Sequence, residues 1–495
     1  MIGIVIENLL NPQVLLFLLL GTLVGSFIGA LPGLSATMGV ALLIPMTYWL
    51  EPEAGLAMLI AIYCSAIFAG GVPAILVNTP GTPASMTTAF DGYAMTQKGQ
   101  GKLALGINAI YSALGGIIST FFLLILAKPI ASFALSFGPP EYFALAIFGL
   151  AMMVSVSGQS VVKGLMIGFI GLFISTIGLD SMTGNPRFTF GNVDLLEGIS
   201  FIPIMIGLFG IGEVLYQITS SEEVKEKTKK TIGRLIPNKK ERKEMRKPFW
   251  FSSLTSVFIG AIPGAGGDIA SIVNWEQTKK FSKNKKKYGN GSLEGLSASA
   301  TSNNGVIGGA FTTMLTLGIP GDSVTAILIG ALMVYGMQPG PEFFATNPEF
   351  GYTIIGLLFL ANLFLLILGL LGANLFSKVL LIKQEIVWVS VIIFCIIGSY
   401  ALNNSLLDVW IMLVSGVLGY ILKKLNFPFG PLILALILGP ILEDNLRRSF
   451  SLNTDGSLVY FTSRPIFMIL IIISFLSLFL PLVKKYWSFY KGRKS

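Results

Sequence analysis

The chain has 495 residues, of which 53% are hydrophobic and only 12% charged, where a soluble domain carries about 25% charged residues. Histidine is absent and cysteine occurs twice, at Cys64 and Cys395 inside apolar runs. This excludes histidine triads, histidine proton relays and His-ligated zinc sites, and it argues against a disulfide framework.

The formal charge of +9 gathers in three places: Lys225 to Lys247, Lys279 to Lys287 and Lys484 to Lys494. Basic loops beside apolar spans follow the positive-inside rule, so no nucleic-acid surface is implied. The first apolar run, Val14 to Ala30, has no basic region before it and no small-residue cleavage site after it. It is therefore expected to stay in the mature protein.

Apolar segments about 17 to 25 residues long suit a hydrocarbon core about 30 Å thick. Crossings are expected near 55–78, 103–127, 141–156, 161–179 and 198–218 in the first half. In the second half they are expected near 295–317, 351–376, 386–402, 408–422, 428–442 and 466–484. A Lys-rich linker, 220–247, separates a first transmembrane repeat (1–219) from a second (248–445), and 446–495 holds a last helix and a basic tail.

The repeat is visible in the residues. Phe27-Ile28-Gly29-Ala30-Leu31-Pro32-Gly33 returns as Phe258-Ile259-Gly260-Ala261-Ile262-Pro263-Gly264. Gly70-Gly71 followed by Thr79-Pro80-Gly81-Thr82 returns as Gly308-Gly309 followed by Ile319-Pro320-Gly321-Asp322. Ile202-Pro203 ahead of Glu213 is a weaker parallel of Gly430-Pro431 ahead of Glu443. Two Pro-Gly sites at a shared offset of 231 to 240 residues mark a duplicated unit.

Pro263-Gly264 lies midway between two Lys-rich ends, with roughly 15 residues on each side, which as helix covers about 22 Å. Such a segment is expected to enter from the cytoplasm and return. Its counterpart, about 12–50, has no Lys or Arg and is expected to enter from outside. Five crossings then turn the second repeat upside down. The fold class is thus an all-α polytopic membrane protein with two inverted-topology repeats, each with a re-entrant, broken-helix Pro-Gly hairpin, and roughly 11 to 12 membrane segments. The N-terminus is placed outside and the C-terminus in the cytoplasm, with Lys128, Arg187, Arg447 and Arg448 as exceptions on the outer side.

Unwound backbone inside a membrane must be buried in protein or line a wet cavity. The breaks therefore point to a binding site, carried by Pro32, Gly33, Ser35, Asn78, Thr79, Gly81 and Thr82 in the first repeat. In the second it is carried by Gly264, Ser302, Asn303, Asn304, Pro320 and Gly321. Helix starts at these tips offer N–H groups to an anion, while Asp268 and Asp322 are candidates for holding Na+ or a coupling proton. Small hydroxyl residues also serve helix contacts. Asp91 suits a turn, and Glu213 and Glu443 suit salt bridges at span ends. An aspartyl protease using Asp268 with Asp91 or Asp322 lacks its Gly-x-Gly-Asp motif, since Ala265 stands at the first position. A channel using the same cavity is the other alternative.

The chain resembles the large membrane subunit of the tripartite tricarboxylate transporters. The likeness runs through Gly29-Ala30-Leu31-Pro32-Gly33-Leu34, Asn78-Thr79-Pro80-Gly81-Thr82-Pro83 and Asp91-Gly92-Tyr93. It continues through Gly138-Pro139-Pro140-Glu141-Tyr142, Thr183-Gly184-Asn185-Pro186-Arg187-Phe188-Thr189-Phe190-Gly191, Gly318-Ile319-Pro320-Gly321, Gly439-Pro440-Ile441-Leu442-Glu443 and Arg447-Arg448. That resemblance implies a cell-membrane permease driven by an ion gradient, which takes up a carboxylate. It also implies two partners, a small four-helix membrane subunit and an extracytoplasmic solute-binding protein.

Overall fold

The structure is a computed structural model that describes residues 2–31, 33–156, 160–220, 233–372, 379, 382–453 and 459–492, with side chains as far as 479. Pro32 lies outside the described residues. In the first half the helices are α1 (Ile2–Leu10), α2 (Pro12–Ala30), α3 (Ala36–Thr47), α4 (Pro52–Ala69), α5 (Gly71–Val77), α6 (Met86–Gln97), α7 (Gly101–Ala134), α8 (Pro139–Val156) and α9 (Val161–Ile174). Next come α10 (Phe201–Ile206) and α11 (Gly212–Ser220), made continuous by a π turn at Gly207–Ile211. The second half holds α12 (Lys239–Gly260), α13 (Gly266–Phe281), α14 (Leu293–Gly305), α15 (Ile307–Leu317), α16 (Ser323–Val334), α17 (Phe343–Thr346) and α18 (Pro348–Leu371). It closes with α19 (Gln384–Asn403), α20 (Leu406–Lys424), α21 (Gly430–Leu452), α22 (Val459–Thr462) and α23 (Pro465–Gly492).

Eight of the described helices are long and apolar enough to cross a membrane, and the strands are confined to one pair, Gly178–Leu179 with Pro186–Arg187. The chain is thus an all-α polytopic membrane protein. Seven of those eight helices coincide with expected crossings, while the eighth, α2, was expected as one leg of a re-entrant hairpin; α6 and α16 were not expected. Each has twelve residues, too few to span a core about 30 Å thick. The basic linker also ends early: a capping box between Asn238 and Glu241 starts α12 at Lys239.

Small residues set how the helices meet. Gly21, Gly25 and Gly29 recur every four residues on one face of α2 and lie against Met58, Ile62 and Ala66 of α4. A side chain at Gly29 would come within 2.1 Å of the Ala66 carbonyl, so this close approach depends on glycine. In the second half Gly260 of α12 stands equally close to the Val306 carbonyl, at 2.1 Å.

The halves are interlocked. Helix α7 packs on α14 of the other half, and α18 packs on α4. Helices α8 and α9 hold α21, while α19 and α20 hold the α10–α11 helix. Helix α4 lies at the centre, its most apolar stretch wholly buried.

The two Pro-Gly turns that follow α5 and α15 are built alike. Gly81 N–H donates to Gly70 O at 3.0 Å, and a Cβ at Gly81 would meet Gly29 O at 2.2 Å. Gly321 O accepts from Gly264 N at 2.8 Å, and a Cβ at Gly321 would meet Gly260 O at 2.4 Å. Each turn is thus clamped on its own half's first hairpin by backbone contacts that no side chain could share. Gly81→Ala or Gly321→Ala should therefore destabilise the purified protein by about 1–3 kcal/mol, the cost of overpacking against rigid backbone. Gly3→Ala, with nothing within 4 Å, should leave the thermal midpoint unchanged; equal midpoints for all three variants would contradict the clamp.

Candidate functional site: four helix starts around two carboxylates

The Pro-Gly breaks start four helices, α3, α6, α13 and α16. Their caps divide them into two kinds. Ser35 spends its hydroxyl on Met38 N at 3.1 Å and so caps α3. Asp322 caps α16, accepting from Thr325 N at 2.9 Å and Thr325 Oγ1 at 2.8 Å. A 3-10 turn, Pro83–Ser85, leads into α6 and engages the Met86 amide on Pro83 O, and neither α6 nor α13 has a side-chain cap. These two start side by side, because a Cβ at Gly267 would lie 3.1 Å from Ala84 Cβ. They also run on together, since Trp275 of α13 donates to Asp91 of α6 at 2.8 Å. Two uncapped positive helix ends are thereby brought together, the arrangement that attracts an anion.

Beside them stand two carboxylates. A Cβ at Gly266 would meet Asp268 Oδ1 at 2.8 Å and Asp322 Cβ at 3.8 Å, so the acids flank this glycine. Asp268, in the first turn of α13, is exposed and follows the buried Gly267. The second Asp322 oxygen accepts from the Tyr63 hydroxyl of α4. Tyr63 was missed in the sequence because it sits in an apolar run; its one signal was a phenol whose O–H needs a partner when buried.

The other expected residues divide between ligand-facing and structural. Asn78 ends α5 in the left-handed conformation (φ 56°) with an exposed side chain that is free for a ligand among the described residues. Thr79 Oγ1 turns back to Val77 O at 3.2 Å. Thr82 Oγ1 pairs with Ser85 Oγ at 3.0 Å, repeating in the first half the Asp322–Thr325 pairing of the second. Gly33 has φ 90° and its carbonyl accepts from Gln217. Gly264 stays close to Met153, and Pro320 and Gly321 are buried in the clamp.

Ser302 is structural, donating to Ala298 O at 2.7 Å and accepting from Asn274 Nδ2 at 2.8 Å. Asn303 reaches the start of α6: with its amide turned to donate, it bonds Ala84 O at 2.5 Å and Ser299 O at 3.1 Å. Asn304 is wholly buried and donates to Cys64 O at 3.1 Å. Asp91 is no turn residue. It is buried within α6 and, besides Trp275, accepts from the amides of Gly289, Gly291 and Ser292 at 2.9, 3.1 and 2.7 Å. Those bonds fasten α6 to the loop after α13 and leave Asp91 no part in a dyad with Asp268.

A separate ionic cluster holds two of the four exceptional charges, Arg187 and Arg447. Arg187 holds Glu443 through two bonds of 2.6 and 3.2 Å. Arg447 bridges Asp180 and Glu443, each at 2.7 Å. Elsewhere Glu213 pairs with Lys423, and Arg464 with Glu141 at 3.0 Å.

The apolar helices and the Pro-Gly breaks between them describe a multi-pass membrane protein. The chain belongs to the tripartite tricarboxylate transporter TctA family, whose model matches residues 15–434. Among curated proteins it is similar to an uncharacterized 52.8 kDa protein in the TAR-I ttuC' 3'region of Agrobacterium vitis, 36% identical over 457 residues, or 92% of this chain and 91% of that one. An uncharacterized protein in the TAR-II ttuC' 3'region of the same organism is 36% identical over 205 residues, covering 41% of this chain and 85% of that one. No solved structure matches.

In the ionic cluster, the Thr183 amide and then Arg447 hold the Asp180 carboxyl well below the usual carboxylate range. A lowered carboxylate pKa stabilises the fold above the unfolded value, about 3.9, and that support disappears as pH falls through the folded value. Asp180→Asn should therefore lower the thermal midpoint at pH 7, with the gap to wild type closing below pH of about 4. A gap independent of pH would contradict this assignment.

Proposed function

We propose that this chain is the permease subunit of an ion-driven carboxylate uptake system in the cell membrane, with Na+ as the coupling ion. It works with a small four-helix membrane subunit and an extracytoplasmic solute-binding protein. Membership of the TctA family supports the reading as a whole. The observation that carries the chemistry is the meeting of the uncapped α6 and α13 starts beside Asp268.

The proposed topology is inverted, with the N-terminus outside and the C-terminus in the cytoplasm. Under it, α6 and α13 descend from the midplane to the basic loops, and α3 and α16 rise to the other side. Tyr335 at the end of α16 donates to Thr47 O at the end of α3 at 2.7 Å, which suits that pairing.

A substrate carboxylate would take the N–H groups at the α6 and α13 starts, with Asn78 at its rim. Asp268 is a negative charge in the same opening and would repel the substrate while bare. A cation or proton there removes the repulsion, so substrate and ion enter together. Asp322 cannot serve equally, because both its oxygens are engaged by Thr325 and Tyr63. Alternating access would follow from one group of helices moving against the other around this opening.

The test is uptake by proteoliposomes that hold this chain, the small subunit and the binding protein encoded beside it, screened over di- and tricarboxylates with and without Na+. Saturable, Na+-dependent uptake of at least one carboxylate is expected; ohmic currents without saturation would contradict the reading. Asn78→Ala should raise the KM for uptake several-fold with kcat little changed, the mark of lost ground-state binding. Ser35→Ala should lower stability by about 1 kcal/mol through the lost cap and leave KM alone.

A further inference from the structure

Several wholly buried side-chain oxygens have no hydrogen-bond partner among the described residues, and three of them, Asn304 Oδ1, Asn362 Oδ1 and Thr301 Oγ1, belong to two helices that both pack against α4 and α7. Thr301 and Asn304 lie three residues apart on α14 and so share a face. The amides of Asn304 and Asn362 both end on Cys64 of α4, Asn304 Nδ2 at 3.1 Å from its carbonyl and Asn362 Nδ2 at 3.9 Å from its sulfur. Asn362 Nδ2 also donates to Leu358 O at 2.8 Å. With both amide nitrogens occupied as donors, the orientation of the oxygens is fixed.

Helix α7 closes the group. A Cβ at Gly116 would sit 1.9 Å from Asn362 Oδ1, and one at Gly115 would sit 2.3 Å from Thr301 O. Glycine at both positions lets α7 approach the Thr301 backbone carbonyl and the Asn362 side-chain oxygen. Each unpaired buried acceptor costs about 1–3 kcal/mol, and three together in apolar surroundings are not left so without return. Oxygen donors lacking a formal charge suit a monovalent hard cation, whereas divalent ions bring carboxylates.

We infer that Asn304, Asn362 and Thr301, from α14 and α18 and enclosed by α4 and α7, form a site for Na+. This rests on the Na+-coupled reading above and gives the ion a place apart from Asp268. The position also supplies coupling. Cys64 follows Tyr63, whose hydroxyl holds Asp322 at the start of α16. Asn304 follows Asn303, which bonds Ala84 at the start of α6. Helix α14 ends at Gly305, one residue beyond Asn304. An ion here would thus brace, through adjacent residues, two of the helix starts that surround the substrate opening.

The experiment follows the thermal midpoint of the purified complex as NaCl replaces choline chloride at constant ionic strength, with KCl as a parallel series. Wild type should show a saturable Na+-specific rise. Asn304→Ala should move the Na+ concentration for half effect upward at least tenfold, whereas Asn362→Asp, which adds a charge at the same atom, should move it downward. Gly3→Ala, remote from both sites, should keep the wild-type value. The site is overturned if Asn304→Ala and Asn362→Asp, eluting as wild type does, both keep the wild-type half-effect concentration, which is the result a buried water would give. If Na+ drives uptake but the midpoint shift is lost only in Asp268→Asn, this site falls and the coupled transport stands. If neither uptake nor stability of wild type responds to Na+, both fall.

Discussion

A backbone N–H or C=O that leaves its helix within a membrane has no water to turn to, and this constraint organises the whole molecule. Four helices begin in the interior, and each beginning must be satisfied. Two are closed from within, α3 by Ser35 and α16 by Asp322. The turns themselves are closed by backbone, Gly81 on Gly70 and Gly264 on Gly321. What remains without a side-chain cap is the pair α6 and α13, the pair that the proposed function assigns to an anion.

The constraint also explains why the halves interlock. A broken helix is shorter than the bilayer and cannot stand alone, so each half's breaks are enclosed by the other half's long helices, α7 on α14 and α18 on α4. Glycine at the crossing points lets backbones approach where a side chain would collide. Such packing is driven by close contact rather than by water exclusion, because lipid is as apolar as the helices themselves. Polar residues buried in these contacts are then conspicuous. Asp91 is fully used in fastening α6 to the loop after α13, while Asn304 and Asn362 each hold back an acceptor oxygen.

Much of this was legible in the sequence, for physical reasons. Seven of the expected crossings are helices long and apolar enough to span, because hydropathy over about 20 residues reports directly on the solvent. The repeated Pro-Gly turns announced themselves because they depend on residue identity at fixed offsets. The short helices α6 and α16 were not legible, since twelve residues carry no spanning signal. The first leg of the second hairpin also exceeded expectation, since α12 has 22 residues. Within the site, residue type gave the candidates but not their directions. Ser35, Ser302, Asn304 and Asp322 all carry suitable chemistry, yet caps and cross-helix bonds consume the groups with which three of them would meet a substrate, and burial removes Asn304. Tyr63, Asn362 and the partners of Asp91 depend on contacts between distant segments, which one sequence read alone does not reveal.

The central claim is that the α6 and α13 starts border an opening that a carboxylate fills. Cys64 and Cys395 are buried, so single cysteines at Asn78→Cys or Asp268→Cys can be followed with a water-soluble thiol reagent in proteoliposomes. Both positions should react, and the carboxylate that the complex takes up should slow each reaction in a saturable way. Labelling that proceeds at one rate with and without the substrate, or no labelling at either position, would contradict the account.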